Sequence, residues 1–168
     1  PVPGPTRRHP PARMPTPIRI ALLKGLAMGL QGAAPSDDDG VVAGGRAGTR
    51  VPGVIYTVLV PNPRGAERAL RSRADEFNIV MSASELHNRS NLRMSRQQSF
   101  AALAEVIALA QQAQVPVNAS LSCCFGCPME GEVDSDEVLA WAGALIERGV
   151  RGVTLCDTTG MAFPTQVA

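Results

Sequence analysis

Three short apolar runs in this chain end the same way, each in a cluster of polar side chains. Residues 79–81 run into Ser82-Ala-Ser-Glu85. Residues 115–121 run into Ser122-Cys-Cys-Phe-Gly-Cys-Pro-Met-Glu-Gly-Glu132, and residues 153–155 into Cys156-Asp-Thr-Thr-Gly160. Contiguous apolar residues of this length suit short buried strands. Segments with helical punctuation lie between them. Ser95 and Gln98 form a capping-box pattern, after which Phe100, Leu103, Val106, Ile107 and Ala110 share one face. Asp134 can cap a second helix, with Val133 and Val138 as a hydrophobic staple, a stripe through Trp141, Ala142, Leu145 and Ile146, and Gly149 as terminator. Upstream, residues 54–60 are β-rich, and Asn62 can cap a helix that has Pro63 at its first position and runs to about Arg73. Strand and helix therefore alternate, which predicts a parallel sheet with right-handed crossovers.

Parallel sheets of this kind place binding residues at the carboxyl ends of their strands. Here those ends carry Asn62, Ser84, Glu85, Ser122, Cys123, Asp157 and Thr158, whereas the opposite ends carry Gly53, Pro116 and Gly149. An active site on the polar rim is the expectation. Asp157, followed by two hydroxyls and a glycine, can serve as a base or hydrogen-bond a reacting group. It can equally cap or brace its own loop. His87 is expected to be a surface loop residue. Cys124-Phe-Gly-Cys127 lacks the second pair that a zinc ribbon needs, and six residues including Gly131 separate it from the next helix cap, so small buried thiols are expected rather than a metal or redox centre. No phosphate loop, Ser-His-Asp order or HExxH motif is present.

At 168 residues the chain can build one domain with a real core, and a net charge of +1 gives no strong attraction to nucleic acid or a membrane surface. Lys24 is the only lysine, and the arginines cluster on no predicted face. Residues 1–49 differ in kind from the rest. They hold eight of the 14 prolines and eight of the 16 glycines, which reads as an irregular segment preceding a domain over residues 50–168. Within it only residues 18–30 suggest a helix, broken by Gly25 and Gly29, and Asp37-Asp38-Asp39 reads as a solvated turn. The first 36 residues are free of acidic side chains but too proline-rich for a good amphipathic helix, so a cytoplasmic protein is expected, with the mitochondrial matrix as the alternative.

From about residue 51 to 164 the chain resembles the 3-hydroxy-3-methylglutaryl-CoA lyase family of metal-dependent (β/α)8 enzymes. The resemblance rests on residues 52–62 (Pro-Gly-Val-Ile-Tyr-Thr-Val-Leu-Val-Pro-Asn), Ser82-Ala-Ser-Glu85 and Asn91 with Ser95. It continues through Ser122-Cys123, Gly126-Cys127-Pro128, Glu130-Gly131 and Asp157-Thr158 with Gly160. It implies a partial (β/α)8 barrel of about four βα units. It also implies cleavage of a 3-hydroxy-acyl-CoA thioester to acetoacetate and acetyl-CoA, as in leucine degradation. Asp157 then matches a catalytic-site aspartate, and Asn62, Ser84, Asn91, Ser122 and Thr158 are the candidate substrate contacts. The family's divalent cation, Mg or Mn, finds none of its expected ligands in this chain, and a homo-oligomer is compatible with the family. Where family lyases tend to have Arg-Gly-Tyr, this chain has Asn118-Ala119-Ser120, which removes a bidentate carboxylate donor. The chain is expected to be inactive and poorly stable alone, with the inward faces of Val58, Val80 and Val117 lacking an opposite wall. The alternatives are a non-catalytic paralogue acting as an interaction module, or a small zinc or thiol protein.

Overall fold

A computed structural model describes residues 19–21 and 55–167. Its elements in chain order are β1 (Arg19–Ala21), β2 (Thr57–Leu59), α1 (Pro63–Arg71), β3 (Glu76–Ser82), α2 (Glu85–Leu92), α3 (Arg96–Gln112), β4 (Val117–Ser122), α4 (Ser135–Glu147), β5 (Gly152–Cys156) and α5 (Pro164–Val167). All the strand pairings are parallel, in the order β1-β5-β4-β3-β2. From β2 to β5 neighbours in sequence are neighbours in the sheet, each joined by at least one helix. That is the unit from which a (β/α)8 barrel is built, and four such strands make this a partial barrel.

The predicted caps form. Asn62 Oδ1 accepts from Gly65 N at 2.8 Å, with Pro63 opening α1. Ser95 Oγ accepts from Gln98 N and Gln98 Oε1 from Ser95 N, closing the capping box of α3. Asp134 caps α4 by accepting from Asp136 N at 2.8 Å, and Gly149 turns the chain out of it at φ +96°.

Two expectations about elements need correction. Residues 19–21, placed in a helix by their apolar content, are instead extended and paired with β5, Ile20 opposite Leu155. The outer edge of β5 offers unpaired N–H and C=O groups, and a β-capable tripeptide satisfies them. The rest of the predicted helix and Asp37-Asp38-Asp39 lie outside the described residues. The second correction is α2, which the polar sequence after β3 did not announce. Its one fully buried side chain is Asn88, so it has no apolar stripe to read.

The core lies between the sheet and its helices, where Phe77, Ile79, Met81, Leu103, Val106, Ile107, Leu121, Leu145 and Val153 are almost wholly buried. Register shows which strand positions face it. Val58 lies opposite Phe77, and Phe77 opposite Val117, so Val58 and Val117 pack towards the helices. Of the three valines expected on the inward face only Val80 is there, opposite Ser120, which lies opposite Thr154. Successive residues of a strand point to opposite faces, so Val80, three residues beyond Phe77, takes the face that Val58 and Val117 do not. The inward face is half-exposed and polar, and Asn78 and Ser120 hydrogen-bond across it at 3.1 Å.

Arg96 locks three helices to the rim. Its guanidinium donates to Ala83 O at 2.7 Å and pairs with Glu137 of α4 at 2.6 Å, beside the Trp141 ring, while its backbone N–H donates to Glu85 of α2 at 2.9 Å. That N–H is the main reason the Glu85 carboxyl sits below its ordinary value, with Arg89 and the Arg96 guanidinium adding attraction. A depressed carboxyl stabilises the fold above its unfolded pKa and loses that contribution as pH falls through the folded pKa. Wild type should therefore be the more stable above pH 4.5, with the gap to Glu85→Gln closing as the medium is made more acid. Paired urea melts across that range check this expectation.

Candidate active-site rim

The carboxyl ends of β3, β4 and β5 are joined by a chain of contacts between their loops. Ser84 begins it. Its hydroxyl accepts from His87 N at 3.0 Å, capping α2, and donates to Cys127 Sγ at 3.1 Å. Glu130 reaches the same helix, its Oε1 accepting from Leu86 N at 2.9 Å. The turn between Cys127 and Gly131 is closed by a backbone pair, Cys127 N to Gly131 O at 2.8 Å and Gly131 N to Cys127 O at 2.6 Å. The other side of the β4 loop is tied to β5: Cys123 N donates to Thr158 Oγ1 at 3.0 Å, Thr159 Oγ1 to Gly126 O at 3.1 Å, and Cys124 N to Cys156 O at 3.2 Å. Cys123 has φ +56°, a left-handed conformation that costs a non-glycine residue about 1 kcal/mol or more. The Thr158 hydroxyl holds it there. Gly126, at φ +143°, packs against Met161, and a Cβ would come within 3.1 Å of that side chain.

Asp157 is almost fully buried at the end of β5. Its Oδ1 accepts from Met161 N at 2.9 Å, bracing the loop. Oδ2 takes no protein hydrogen bond among the described residues. The two readings of this residue thus divide between its two oxygens.

A shallow hollow lies between α2 and the ends of β3 and β4, lined by Ser82, His87, Asn88, Asn91 and Ser122 with Val80, Met81 and Leu92. Asn88 organises it and was missed in the sequence. Its Oδ1 accepts from Ser82 N at 2.9 Å, and its Nδ2 donates to Met94 O at 2.9 Å and Ser99 Oγ at 2.7 Å. His87 is no surface loop residue: it is half-buried on α2, and its Nδ1 is buried with no partner. Burial lowers its pKa, and the Glu130 carboxylate opposes that shift.

Of the six candidate residues, Asn91 and Ser122 share this hollow, while Ser84 and Thr158 belong to the loop contacts on either side of Cys123-Cys127. Ser84 is buried and its hydroxyl is engaged on both sides. Asp157 follows directly on β5. Asn62 stands apart, exposed at the end of β2 and used as the cap of α1.

All four thiols are buried and free. Burial pushes Cys123 up to about 11 and Cys124 up to about 12, and raises Cys156 as well. Such thiols are poor nucleophiles and poor metal ligands, since both roles need the thiolate. Purified protein is expected to carry no stoichiometric zinc, and its thiols to alkylate quickly at pH 8 only once denatured. Metal analysis would contradict this by finding one tightly held zinc per chain that Cys124→Ser removes.

Among the described residues no three His, Cys, Asp or Glu side chains converge as a metal site. A divalent cation with oxygen ligands needs about six of them, and Asp157 offers one oxygen without a protein partner among the described residues. The described residues alone do not fit such an ion.

The HMGL-like family model matches residues 40–168. Hydroxymethylglutaryl-CoA lyase YngG of Bacillus subtilis is 44% identical over 118 residues, 70% of this chain and 40% of that protein. The mitochondrial hydroxymethylglutaryl-CoA lyase of Mus musculus is 37% identical over 115 residues, 68% of this chain and 35% of its own length. Among solved structures, an HMG-CoA lyase from Acinetobacter baumannii in complex with coenzyme A and 3-methylmalate superposes with a TM-score of 0.67 at 42% identity. It covers 71% of this chain and 39% of that one. The Bacillus subtilis HMG-CoA lyase gives a TM-score of 0.68 at 44% identity. This chain spans about 40% of the length of these relatives. With that match over most of its length, on a parallel βα sheet whose polar rim carries Asp157, the chain belongs to the HMGL-like family.

Proposed function

We propose that this chain is part of a carbon–carbon lyase acting on a 3-hydroxy-3-methylglutaryl-type CoA thioester, with acetoacetate and acetyl-CoA as products. The observation that carries the reading is Asp157, a buried carboxylate at the carboxyl end of β5 with one oxygen spent on Met161 N and the other without a protein partner among the described residues. The reaction removes the proton of the 3-hydroxyl group. The bond between C2 and C3 then breaks, the new carbonyl leaves as acetoacetate, and the bonding electrons pass to the thioester as an enolate that takes up a proton. Oδ2 of Asp157 accepts the hydrogen bond of that hydroxyl, orients it, and takes up its proton as the bond between C2 and C3 breaks. Ser122 and Asn91 contact the substrate from the hollow, and Thr158 acts by fixing the Cys123 turn. Ser84 positions α2 through its cap, and Asn62 ends the β2 edge.

A divalent cation would supply charge for the developing alkoxide in the intact family. The 168-residue chain alone is proposed to be inactive, in the cytoplasm or, as the alternative, the mitochondrial matrix, with a homo-oligomer compatible with the family. No helix among the described residues is long and apolar enough to cross a membrane. The thiol-protein alternative draws no support from thiols this buried.

A chimera tests the reading. Residues 55–167 replace the matched segment of the Bacillus subtilis lyase, and acetoacetate release from the thioester is measured. Turnover at a rate typical of enzymes supports it; a folded chimera that binds CoA without cleaving anything counts against it.

A further inference from the structure

We infer that the outer edge of β2 is a self-association surface, on which residues 55–59 pair antiparallel with the same residues of a second copy about a two-fold axis at Thr57. The inference stands apart from the lyase reading and needs no ligand.

The hydrogen bonds to β3 decide which groups point outward. Tyr56 O accepts from Glu76 N, and Val60 N donates to Asn78 O at 2.9 Å. Backbone direction alternates along a strand, so Tyr56, Val58 and Val60 serve the β3 ladder. Ile55, Thr57 and Leu59 turn their N–H and C=O groups to the outer edge, where no strand among the described residues pairs with them. The same alternation puts their side chains on one face. All three are exposed there, Ile55 at 70% and Leu59 at 38%, while Tyr56 and Val58 on the other face are half-buried. The Thr57 hydroxyl is held within its own chain, donating to Glu76 Oε1 at 3.1 Å. What the edge offers a partner is backbone and two apolar side chains.

Edge strands are ordinarily guarded by charge, proline or a bulge. Residues 55–60 read Ile-Tyr-Thr-Val-Leu-Val, β-prone throughout and without charge, glycine or proline, and Pro61 comes only after the last outward group. The spacing names the occupant. Ile55 and Leu59 stand two residues either side of Thr57, so an antiparallel copy centred there sets Ile55 opposite the partner's Leu59 and Leu59 opposite the partner's Ile55. Each is an apolar cross-strand pair, with Thr57 opposite the partner's Thr57 between them. Because the polar groups of these residues already point outward, each pair exchanges both of its backbone hydrogen bonds. The surface is its own complement, as a two-fold interface requires.

Sedimentation velocity on the 168-residue chain, run from micromolar to millimolar, is expected to show a reversible monomer–dimer equilibrium. Leu59→Pro deletes an N–H that faces outward and none that faces β3. It should weaken the dimer by about 10- to 100-fold, the worth of the hydrogen bonds lost on both sides of the axis. Charge then tests the register. Ile55→Lys combined with Leu59→Lys sets like charges opposite each other and should leave a monomer. Ile55→Lys combined with Leu59→Glu sets opposite charges there and should restore the dimer. Both positions are exposed, so these two variants decide the matter if the proline variant fails to fold. A wild-type chain that stays monomeric at millimolar concentration overturns the proposal. So does assembly that grows past two copies, or a dimer indifferent to which charges face each other.

Discussion

Asn88→Ala is expected to lower the stability of this fold by about 3–5 kcal/mol. The substitution leaves three groups without a partner at once: Ser82 N, Met94 O and Ser99 Oγ. Asn88 and Ser99 are 0% and 1% exposed, so water does not replace the lost bonds cheaply. Each buried group left unmet costs about 1–3 kcal/mol, set against a whole-domain stability of about 5–15 kcal/mol. Asn88→Asp should be nearly as damaging, because it keeps the acceptor for Ser82 N and loses the donor for Met94 O. Asn91→Ala, exposed on the same helix, should stay within about 0.5 kcal/mol of wild type. Urea midpoints for the three variants decide it. A loss below about 1 kcal/mol for Asn88→Ala would mean that α2 is held by something other than this side chain.

Asn88 also marks where reading the sequence stopped. The helices α1, α3 and α4 could be read because their signals are local: a cap residue, a proline or capping-box partner, and apolar residues every third or fourth position. The strands were legible as apolar runs, and the site as the polar ends of those runs. Helix α2 has none of these signals except Ser84, whose capping role depends on where β3 ends. Its stability comes from Asn88 and Arg96, and their partners lie up to 41 residues away in sequence. The faces of β2 and β4 failed for a related reason. Both faces carry residues that tolerate partial burial, so pattern alone did not decide whether Val58 and Val117 or Val80 and Ser120 meet the helices. Pairing with Phe77 decides it. The pairing of residues 19–21 was out of reach for the same cause, since it depends on the free edge of β5.

Asp157→Asn separates bracing from chemistry, because the two jobs fall on different oxygens. Asparagine keeps a carbonyl oxygen that can still accept from Met161 N, so the loop after β5 should stay in place. The second oxygen becomes an amide nitrogen, which donates where the carboxylate accepted and carries no negative charge. In the chimera with the Bacillus subtilis lyase, turnover is expected to fall by about 10²–10⁴-fold, the usual contribution of a positioned acid–base group. The melting temperature should move by no more than about 2–4 °C, the equivalent of 1 kcal/mol in a large domain. Asp157→Ala removes both functions and should add a stability loss of about 0.5–2 kcal/mol, as the deletion of a cap does. Full turnover in Asp157→Asn together with a destabilised Asp157→Ala would assign Asp157 to the loop alone. The catalytic proton would then have to be handled by a residue outside 55–167.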